Sequence, residues 1–277
     1  MAGFARRFVR NKGAAVGLVV LAVVLAMAAF GPVLYPDSPW DMAGAPFRPP
    51  FGEHLLGTDT LGRDVAAGIV HGARVSLLIG FVATFVAVLV GVCVGAIAGY
   101  FGGWIDDLTM RLTEFFQTIP SFVFAVVLVA IFTPGILSIV VAIAMVSWPA
   151  VARLVRGEFL TLRTREFVQA SIVLGRSSRH IIFFEILPNA ISPIVVTASL
   201  MVATAILVES SLSFLGLGDP NMMSWGYMIG ASRSVVRVAW WASFFPGLAI
   251  LLTVLALNLV GEGLSDALNP RLSREGR

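Results

Sequence analysis

Residues 153–188 read RLVRGEFLTLRTREFVQASIVLGRSSRHIIFFEILP, a polar stretch within a chain that is otherwise mostly apolar. Uncharged segments lie on both sides of it, and each is long enough to cross a bilayer, which requires about 20 apolar residues. The stretch carries six arginines and three acidic residues, and arginine-rich loops stay on the cytoplasmic side of a membrane. We therefore predict a cytoplasmic loop, residues 153–188, between two membrane-spanning helices.

Two short helices joined by a glycine are predicted within this loop. Residues 166–174 can wind as a helix that ends at Gly175, since glycine readily takes the left-handed conformation of a helix stop. Ser177 or Ser178 can cap a second helix that runs to Pro188. The predicted shape is a helix, a glycine elbow and a second helix.

The composition is that of an all-α membrane protein with several spans. Hydrophobic residues make up 58% of the 277 residues and charged residues 13%, and the mean hydropathy is +0.91. A soluble domain carries about a quarter charged residues. The net charge of +3 does not indicate nucleic-acid binding, because the basic residues are concentrated in the predicted cytoplasmic segments.

Six transmembrane helices are predicted, with both ends of the chain in the cytoplasm. Arg6, Arg7, Arg10 and Lys12 precede the first span and favour an inside N-terminus. A cleavable signal peptide is the rival interpretation, since residues 26–28 have the small-x-small form of a cleavage site. The apolar run continues past that site, which favours a span. The predicted spans are residues 14–34, 75–100, 106–133, 137–155, 190–208 and 240–260.

These spans divide the chain into three regions. Residues 1–74 would hold the N-terminal tail, the first transmembrane helix and an external segment. Residues 75–262 would form the core transmembrane domain with five helices, and residues 263–277 a cytoplasmic tail. The external segment is rich in proline, glycine and aspartate, which predicts turns and an interfacial helix leading into the second span.

Local contacts are expected in the external segment and in the third helix. Thr58 and Asp59 are residues that cap helices, and Arg63 and Asp64 can form an ion pair. In the third helix, whose first part lies in the membrane interface, Asp107 can pair with the arginine four residues later, Arg111.

Three glycines, Gly91, Gly95 and Gly99, lie four residues apart in the second span. Residues at this spacing share one face of a helix, and glycines there let a neighbouring helix pack backbone to backbone. We interpret them as a packing face.

Glu209 ends the fifth span. An acid in that place is costly unless it is solvated or paired, so we expect it to face the bundle interior or the outer water layer. A structural ion pair is favoured over a substrate ligand. With Trp225 of the following external loop, Glu209 marks a candidate translocation path or outer gate.

The residues needed for catalysis or metal binding do not come together in the sequence. His54 and His71 lie in the outer segment and His180 in the cytoplasmic loop, so they cannot share a metal. Cys93 is the only cysteine. Lys12 is the only lysine, and no phosphate-binding loop motif surrounds it. We predict no enzyme activity, catalytic residue, metal or cofactor on this chain.

The cytoplasmic loop resembles the loop motif of permease subunits in ATP-binding-cassette importers, which is Glu-Ala-Ala, three residues, Gly, nine residues, then Ile-x-Leu-Pro. This chain has Gln169-Ala170-Ser171, then Gly175, then Leu187-Pro188. Three positions depart from the motif. Gln169 replaces the glutamate, Ser171 an alanine and Glu185 the isoleucine.

Three further stretches resemble signatures of one branch of that family, the C-type subunits of dipeptide, oligopeptide and nickel importers. They are LGTDTLGRD at residues 56–64, ESSLSFLGLG at residues 209–218 and NLVGEGLSDALNPR at residues 258–271. Glu262, Ser265 and Asn269 are departures in the last. The signatures occur in the order typical of the branch, so the resemblance covers nearly the whole chain.

The resemblance implies the type I importer permease fold in a bacterial inner membrane. It implies four kinds of partner: a related B-type permease, two cytoplasmic ATPases that bind ATP and magnesium, an external substrate-binding protein, and the lipid bilayer. It also implies that the cytoplasmic loop docks on an ATPase. The docking residues would be Glu166, Gln169, Ala170, Ser171, Gly175, Leu187 and Pro188.

Short peptides are favoured over nickel as the substrate. A path that bound bare nickel would want imidazole, thiolate or carboxylate ligands, and the spans offer only Cys93 and Glu209. Nickel or a chelated metal stays the alternative substrate. A self-contained carrier or channel is less favoured. Such proteins place charges or a filter in mid-membrane, whereas the predicted spans of this chain are almost free of ionisable groups.

Overall fold

The computed structural model describes Phe8 and residues 11–268, and in that part of the chain it contains helices and loops but no strand. Arg6, Arg7 and Arg10, on which the predicted N-terminal orientation rests, lie outside the described residues, as does the tail from Asn269 onward. The helices are α1 (Lys12–Leu34), α2 (Val65–Phe101), α3 (Gly103–Thr118), α4 (Ser121–Phe132), α5 (Ile136–Leu162), α6 (Glu166–Val173), α7 (Ser178–Phe214), α8 (Trp225–Ser232) and α9 (Trp241–Leu268).

Five of these helices, α1, α2, α5, α7 and α9, are long and apolar enough to cross a membrane. The pair α3 and α4 meets the same test together and bends by 83° at its break. Counted as one broken span, it brings the total to six. The predicted all-α fold with six spans is confirmed, and α1 packs on α9 while α2 packs on α5 and α7.

The bend between α3 and α4 differs from the continuous third helix expected from the sequence. Pro120 causes it, because a proline restricts the residue before it to extended conformations. Ile119 accordingly has φ −85° and ψ 130°. The amphipathic α3 and the apolar α4 therefore run in different directions.

The second span begins ten residues earlier than predicted, at Val65, so the predicted boundary at residues 74 and 75 lies inside α2. Asp64 caps this helix, since its carboxylate accepts the N–H of Ala66. Thr58 and Asp59 do not cap it. Thr58 is buried and bonded to Ala45 and Arg48, and Asp59 closes a turn with Leu61 and Arg63.

The expected pair of Arg63 with Asp64 does not form. The Arg63 guanidinium lies 4.8 Å from the centre of the Trp40 ring, where the ring face attracts a cation. Asp64 instead lies 3.8 Å from the imidazole of His54.

Three helices run further than predicted. α5 continues through residues 153–162, the first part of the predicted loop, because arginine, leucine and glutamate favour helix there. α7 passes through Pro188 instead of ending there. A wider π-helical turn, Ile181–Ile186, ends two residues before the proline. It includes Phe184, whose carbonyl the proline ring would otherwise meet in a regular helix. α9 continues to Leu268, into the predicted tail.

Gly91, Gly95 and Gly99 form the face of α2 that lies against α5. A Cβ atom added at Gly91 would lie 2.5 Å from the Cβ of Val151, and one at Gly99 would lie 2.6 Å from the Cβ of Phe159. Real Cβ atoms do not approach so closely, so each position needs glycine. The two helices touch backbone to backbone along this face, which we call the glycine seam.

Gly95→Ala tests the seam. Its new Cβ would collide with the backbone oxygen of Ala152 in α5, and overpacking costs about 1–3 kcal/mol. We expect a lower unfolding temperature in detergent. Gly157→Ala is the matched control, because this helical glycine has no atom within 4 Å of the added Cβ and alanine favours helix by about 1 kcal/mol. Equal stability of the two variants would contradict the close contact.

Candidate functional site

The first candidate region is the elbow, which we define as residues 166–188. It comprises α6, a four-residue turn and the start of α7. Val168 anchors it, because its side chain is fully buried in a cluster with Phe159 of α5 and Ile181 and Ile186 of α7. The elbow is thus attached to both long helices that flank it.

The turn of the elbow has the geometry of a Schellman helix stop. Gly175 has φ +71°, its N–H donates to Ile172 O at 2.9 Å, and the N–H of Arg176 donates to Ser171 O at 3.1 Å. These two bonds satisfy carbonyls at the end of α6. The predicted stop at Gly175 is confirmed, and Ser177 rather than Ser178 caps the helix that follows.

Two of the three departures from the loop motif contact each other. The Ser171 hydroxyl donates to the Glu185 carboxylate at 3.3 Å, which ties α6 to α7. Alanine and isoleucine, the motif residues at these positions, could not make this bond. The third departure, Gln169, donates its amide N–H to the carbonyl of Arg163 at 2.8 Å, which ties α6 to the end of α5.

The outer surface of the elbow is apolar and exposed. Val173 is 86% exposed, Leu174 76% and Phe184 71%. Next to them, Gly175 has open space where a Cβ would lie. Of the remaining predicted docking residues, Glu166, Gln169, Ala170 and Pro188 are exposed, whereas Ser171 is buried and Leu187 is half-buried. Apolar side chains this exposed in a polar loop are typical of an interaction surface.

The second candidate region is the outer cluster, defined as Glu209, Ser210, Ser213 and Ser224. Glu209 is 1% exposed. One of its oxygens accepts from the hydroxyls of Ser213 and Ser224, both at 2.8 Å, and Ser210 lies 3.4 Å from the other. The predicted structural ion pair is wrong for the described residues. Serine hydroxyls satisfy the buried carboxylate instead of a cation.

Ser224 joins the outer cluster to α8, because its oxygen also accepts the N–H of Tyr227 and so caps that helix at 3.0 Å. Trp225, the next residue, is fully buried. Its indole N–H donates to Ile69 O at 2.9 Å, and its backbone N–H donates to the Ser76 hydroxyl at 3.1 Å. The segment that the sequence assigns to an external loop contains α8, and this helix packs against α2, α7 and α9.

The structure brings Glu209 and Trp225 together, but neither lines an open passage in this conformation. The open groove lies beside them, between α4, α7, α8 and α9. Its walls are apolar or small, with a few hydroxyls. They include Phe122, Leu207, Ser211, Phe214, Ile229 and Ile250. The sequence alone could not find Phe122, because only the bend at Pro120 turns α4 toward this groove.

Two family comparisons match the chain. Residues 91–274 match the family described as binding-protein-dependent transport system inner membrane component. Residues 1–50 match the N-terminal transmembrane domain of oligopeptide transport permease C. The chain belongs to this family of importer permeases. The permease is therefore a multi-pass membrane subunit, and its family role is not a catalytic one.

Relatives of similar length support the assignment. The dipeptide transport system permease protein DppC of Escherichia coli strain K12 is 46% identical over 275 residues, covering 96% of this chain and 92% of that protein. The di/tripeptide transport system permease protein DppC of Pseudomonas aeruginosa is 40% identical over 281 residues, covering 97% and 91%. The permease thus belongs to the C-type branch.

A solved structure agrees with the fold. The MetNI methionine transporter in an inward-facing conformation matches with a TM-score of 0.60 at 18% identity, over 73% of this chain and 96% of that chain. At this identity the likeness shows the fold alone, which is the type I importer permease fold predicted from the sequence.

Glu209→Ala tests the outer cluster. Removing the acceptor leaves the buried hydroxyl protons of Ser213 and Ser224 without an acceptor, which costs about 1–3 kcal/mol. We therefore expect α8 to separate from α7 more often. Hydrogen exchange of the amides of Trp225–Ser232 should become faster. Ser211→Ala is the control, since that exposed hydroxyl bonds only within α7. Unchanged exchange in the Glu209 variant would show that the carboxylate does not hold α8.

Proposed function

We propose that this permease forms one half of the path by which an ATP-driven importer takes up short peptides, and that it receives the driving force at the elbow. The exposed apolar surface of the elbow carries the proposal. Val173 and Leu174 lie at the end of α6 where water would otherwise cover them. A soluble ATPase subunit with an apolar groove would bury them.

The elbow suits this role because its inner side is packed against α5 and α7, whereas its outer side is accessible to a partner. Its inner side is held by Val168 and by the bond between Ser171 and Glu185. Its outer side has the side-chain-free Gly175, where a partner can approach the backbone closely. A push on such a surface moves the attached ends of α5 and α7 instead of deforming the loop.

Further partners follow from the family. An importer of this kind needs a second, B-type permease for the other half of the path, two ATPases that bind ATP and magnesium, and an external substrate-binding protein. We assign the elbow and both chain ends to the cytoplasm of the bacterial inner membrane, and α8 to the outer side. The distribution of arginine supports this orientation.

Short peptides are the substrate that the relatives favour, since two of them are named for dipeptide or di/tripeptide transport. The groove beside α8 suits such cargo. Apolar walls such as Phe214 and Ile229, with hydroxyls such as Ser211, tolerate varied side chains. Nickel or a chelated metal is the rival substrate.

The proposed mechanism is alternating access. Closure of the two ATPases around ATP displaces the elbow, and α5 and α7 reorient with it. The groove then opens toward the docked binding protein, and α8, held by Glu209, acts as part of the outer gate. Release of the hydrolysis products restores the inward-facing state.

A labelling experiment tests the orientation. Thr164, two residues before the elbow, and Asn221, near α8, are both exposed. Cysteines at these positions should therefore be reactive. In a Cys93→Ser background, we expect Thr164→Cys to react with an impermeant thiol reagent only in inverted vesicles. Asn221→Cys should react only in spheroplasts. The reverse pattern would reject the orientation.

Gly175→Val tests the elbow. A residue with a side chain in the left-handed region costs about 1–2 kcal/mol, and valine also fills the partner's space. Strain that weakens docking of the partner by about 1.4 kcal/mol lowers its affinity tenfold. We therefore expect ATP-driven uptake to fall by about tenfold or more, while the permease stays in the membrane. Gly175→Asn is the comparison, because asparagine tolerates this backbone and should retain more uptake. Normal uptake by the valine variant would remove the elbow from the mechanism.

Reconstitution tests the substrate. The permease would be placed in liposomes with its B-type partner, the ATPases and the binding protein. ATP hydrolysis should rise when the binding protein carries a dipeptide. A rise only with nickel would reverse the assignment, and transport by the permease alone would indicate a carrier.

A further inference from the structure

One ion pair joins α3 to α5 at two points. The Arg156 guanidinium donates to both carboxylate oxygens of Asp106, with Nε to Oδ1 at 2.5 Å and Nη2 to Oδ2 at 2.7 Å. Asp106 is 8% exposed. A two-point arginine–carboxylate pair fixes orientation as well as distance. The local pair expected from the sequence, Asp107 with Arg111, is absent from the ion pairs of the described residues.

A second arginine, at the end of α5, holds the turn that joins α2 to α3. Arg163 lies two helical turns beyond Arg156, and its Nη1 is 3.3 Å from both Gly99 O and Tyr100 O at the end of α2. Between these contacts the chain reverses at Gly102, which has φ +66°. The turn from α2 to α3 is therefore held by two arginines, Arg156 in the last part of α5 and Arg163 directly after its end.

The same extension is attached to the elbow. The carbonyl of Arg163 accepts the amide N–H of Gln169, and Phe159 packs on Val168. A displacement of α6 must therefore move the end of α5, and with it both arginines.

α3 leads from this turn to the groove. It joins α4 at the 83° bend, and Phe122 in the first turn of α4 lines the groove. A contiguous series of contacts thus runs from the elbow through α5 and α3 to the wall of the groove.

We propose that Asp106 and Arg156 are positioning residues for transport, which pass the displacement of the elbow to the bent pair α3 and α4 and so reshape the groove. The proposal rests on the function proposed above, in which the ATPase acts at the elbow. Without this pair, α3 would keep its chain link to α2 at Gly102 and Gly103 and the packing of Phe116 on Trp148 of α5. It would lose the two-point contact that fixes its first turn to α5.

The pair needs arginine rather than any cation. A lysine offers a compact charge on a flexible stem and cannot grip both carboxylate oxygens in one plane. Arg156→Lys keeps the charge, leaves no unpaired buried carboxylate and removes the two-point geometry. Asp106→Asn removes the charge with little change of shape.

The test separates uptake from ATP hydrolysis in the reconstituted complex. We expect Asp106→Asn and Arg156→Lys to hydrolyse ATP with peptide-loaded binding protein as the unsubstituted permease does. Peptide uptake per ATP should fall by about two- to thirtyfold, the range for changes within a coupling network. Arg153→Lys is the control, since this exposed arginine lies one turn away from Arg156 on α5. Its peptide uptake per ATP hydrolysed should stay unchanged.

The exchange variant Asp106→Arg with Arg156→Asp restores a pair and should recover part of the uptake lost in either single exchange. A merely structural role would lower the amount of complex, hydrolysis and uptake in the same proportion, and that result would overturn the proposal. If Gly175→Val blocks uptake while Asp106→Asn and Arg156→Lys have normal ratios, only the relay is wrong. Normal uptake by Gly175→Val would reject the elbow and the relay together.

Discussion

The rest of the structure depends on the backbone contact between α2 and α5 at the glycine seam. Because no side chain separates the helices at Gly91, Gly95 and Gly99, they cannot slide or tilt without colliding. Packed backbones of this kind behave as one rigid body. α5 therefore moves together with α2, and its residues 153–162 stay beside the end of α2.

Because α5 is held rigidly on α2, a force on the elbow can be passed to the transmembrane helices. A surface loop attached through flexible segments would absorb a push, but α6 is bonded to α5 through Gln169 and to α7 through Ser171. Exposure of its apolar outer surface to water costs free energy, which is why we propose that a partner covers it. The chain thus combines an exposed apolar surface at the elbow, the long helices α5 and α7, and a groove lined in part by the far end of α7.

Features that depend on neighbouring residues were predictable from the sequence. The helix stop at Gly175 and the spacing of the three seam glycines need only local geometry. The start of α2 was not predictable, because Thr58, Asp59 and Asp64 are all good capping residues and only tertiary contacts select Asp64. The bend at Pro120 was missed, because the sequence pattern favoured one continuous third helix, and the groove that this bend helps to form was missed with it.

The polar contacts also divide into those set by neighbouring residues and those set by tertiary packing. Glu209 was expected to need a cation, because three serines could not be known to surround it until α8 folded back and delivered Ser224. Asp106 and Arg156 are 50 positions apart, whereas Asp107 and Arg111 have the spacing of a helical pair. The local pattern therefore named the wrong partners. Long-range packing decides which charges meet.

The central claim is that an ATPase docks on the elbow, and cross-linking tests it most directly. A photoreactive amino acid would replace Val173, which is 86% exposed, in the complete complex in membranes. A second variant would carry it at Met42, which is 79% exposed in the external segment. We expect the Val173 variant to give an adduct with an ATP-hydrolysing subunit and the Met42 variant to give none. An adduct of Val173 only with lipid or with the substrate-binding protein would contradict the account.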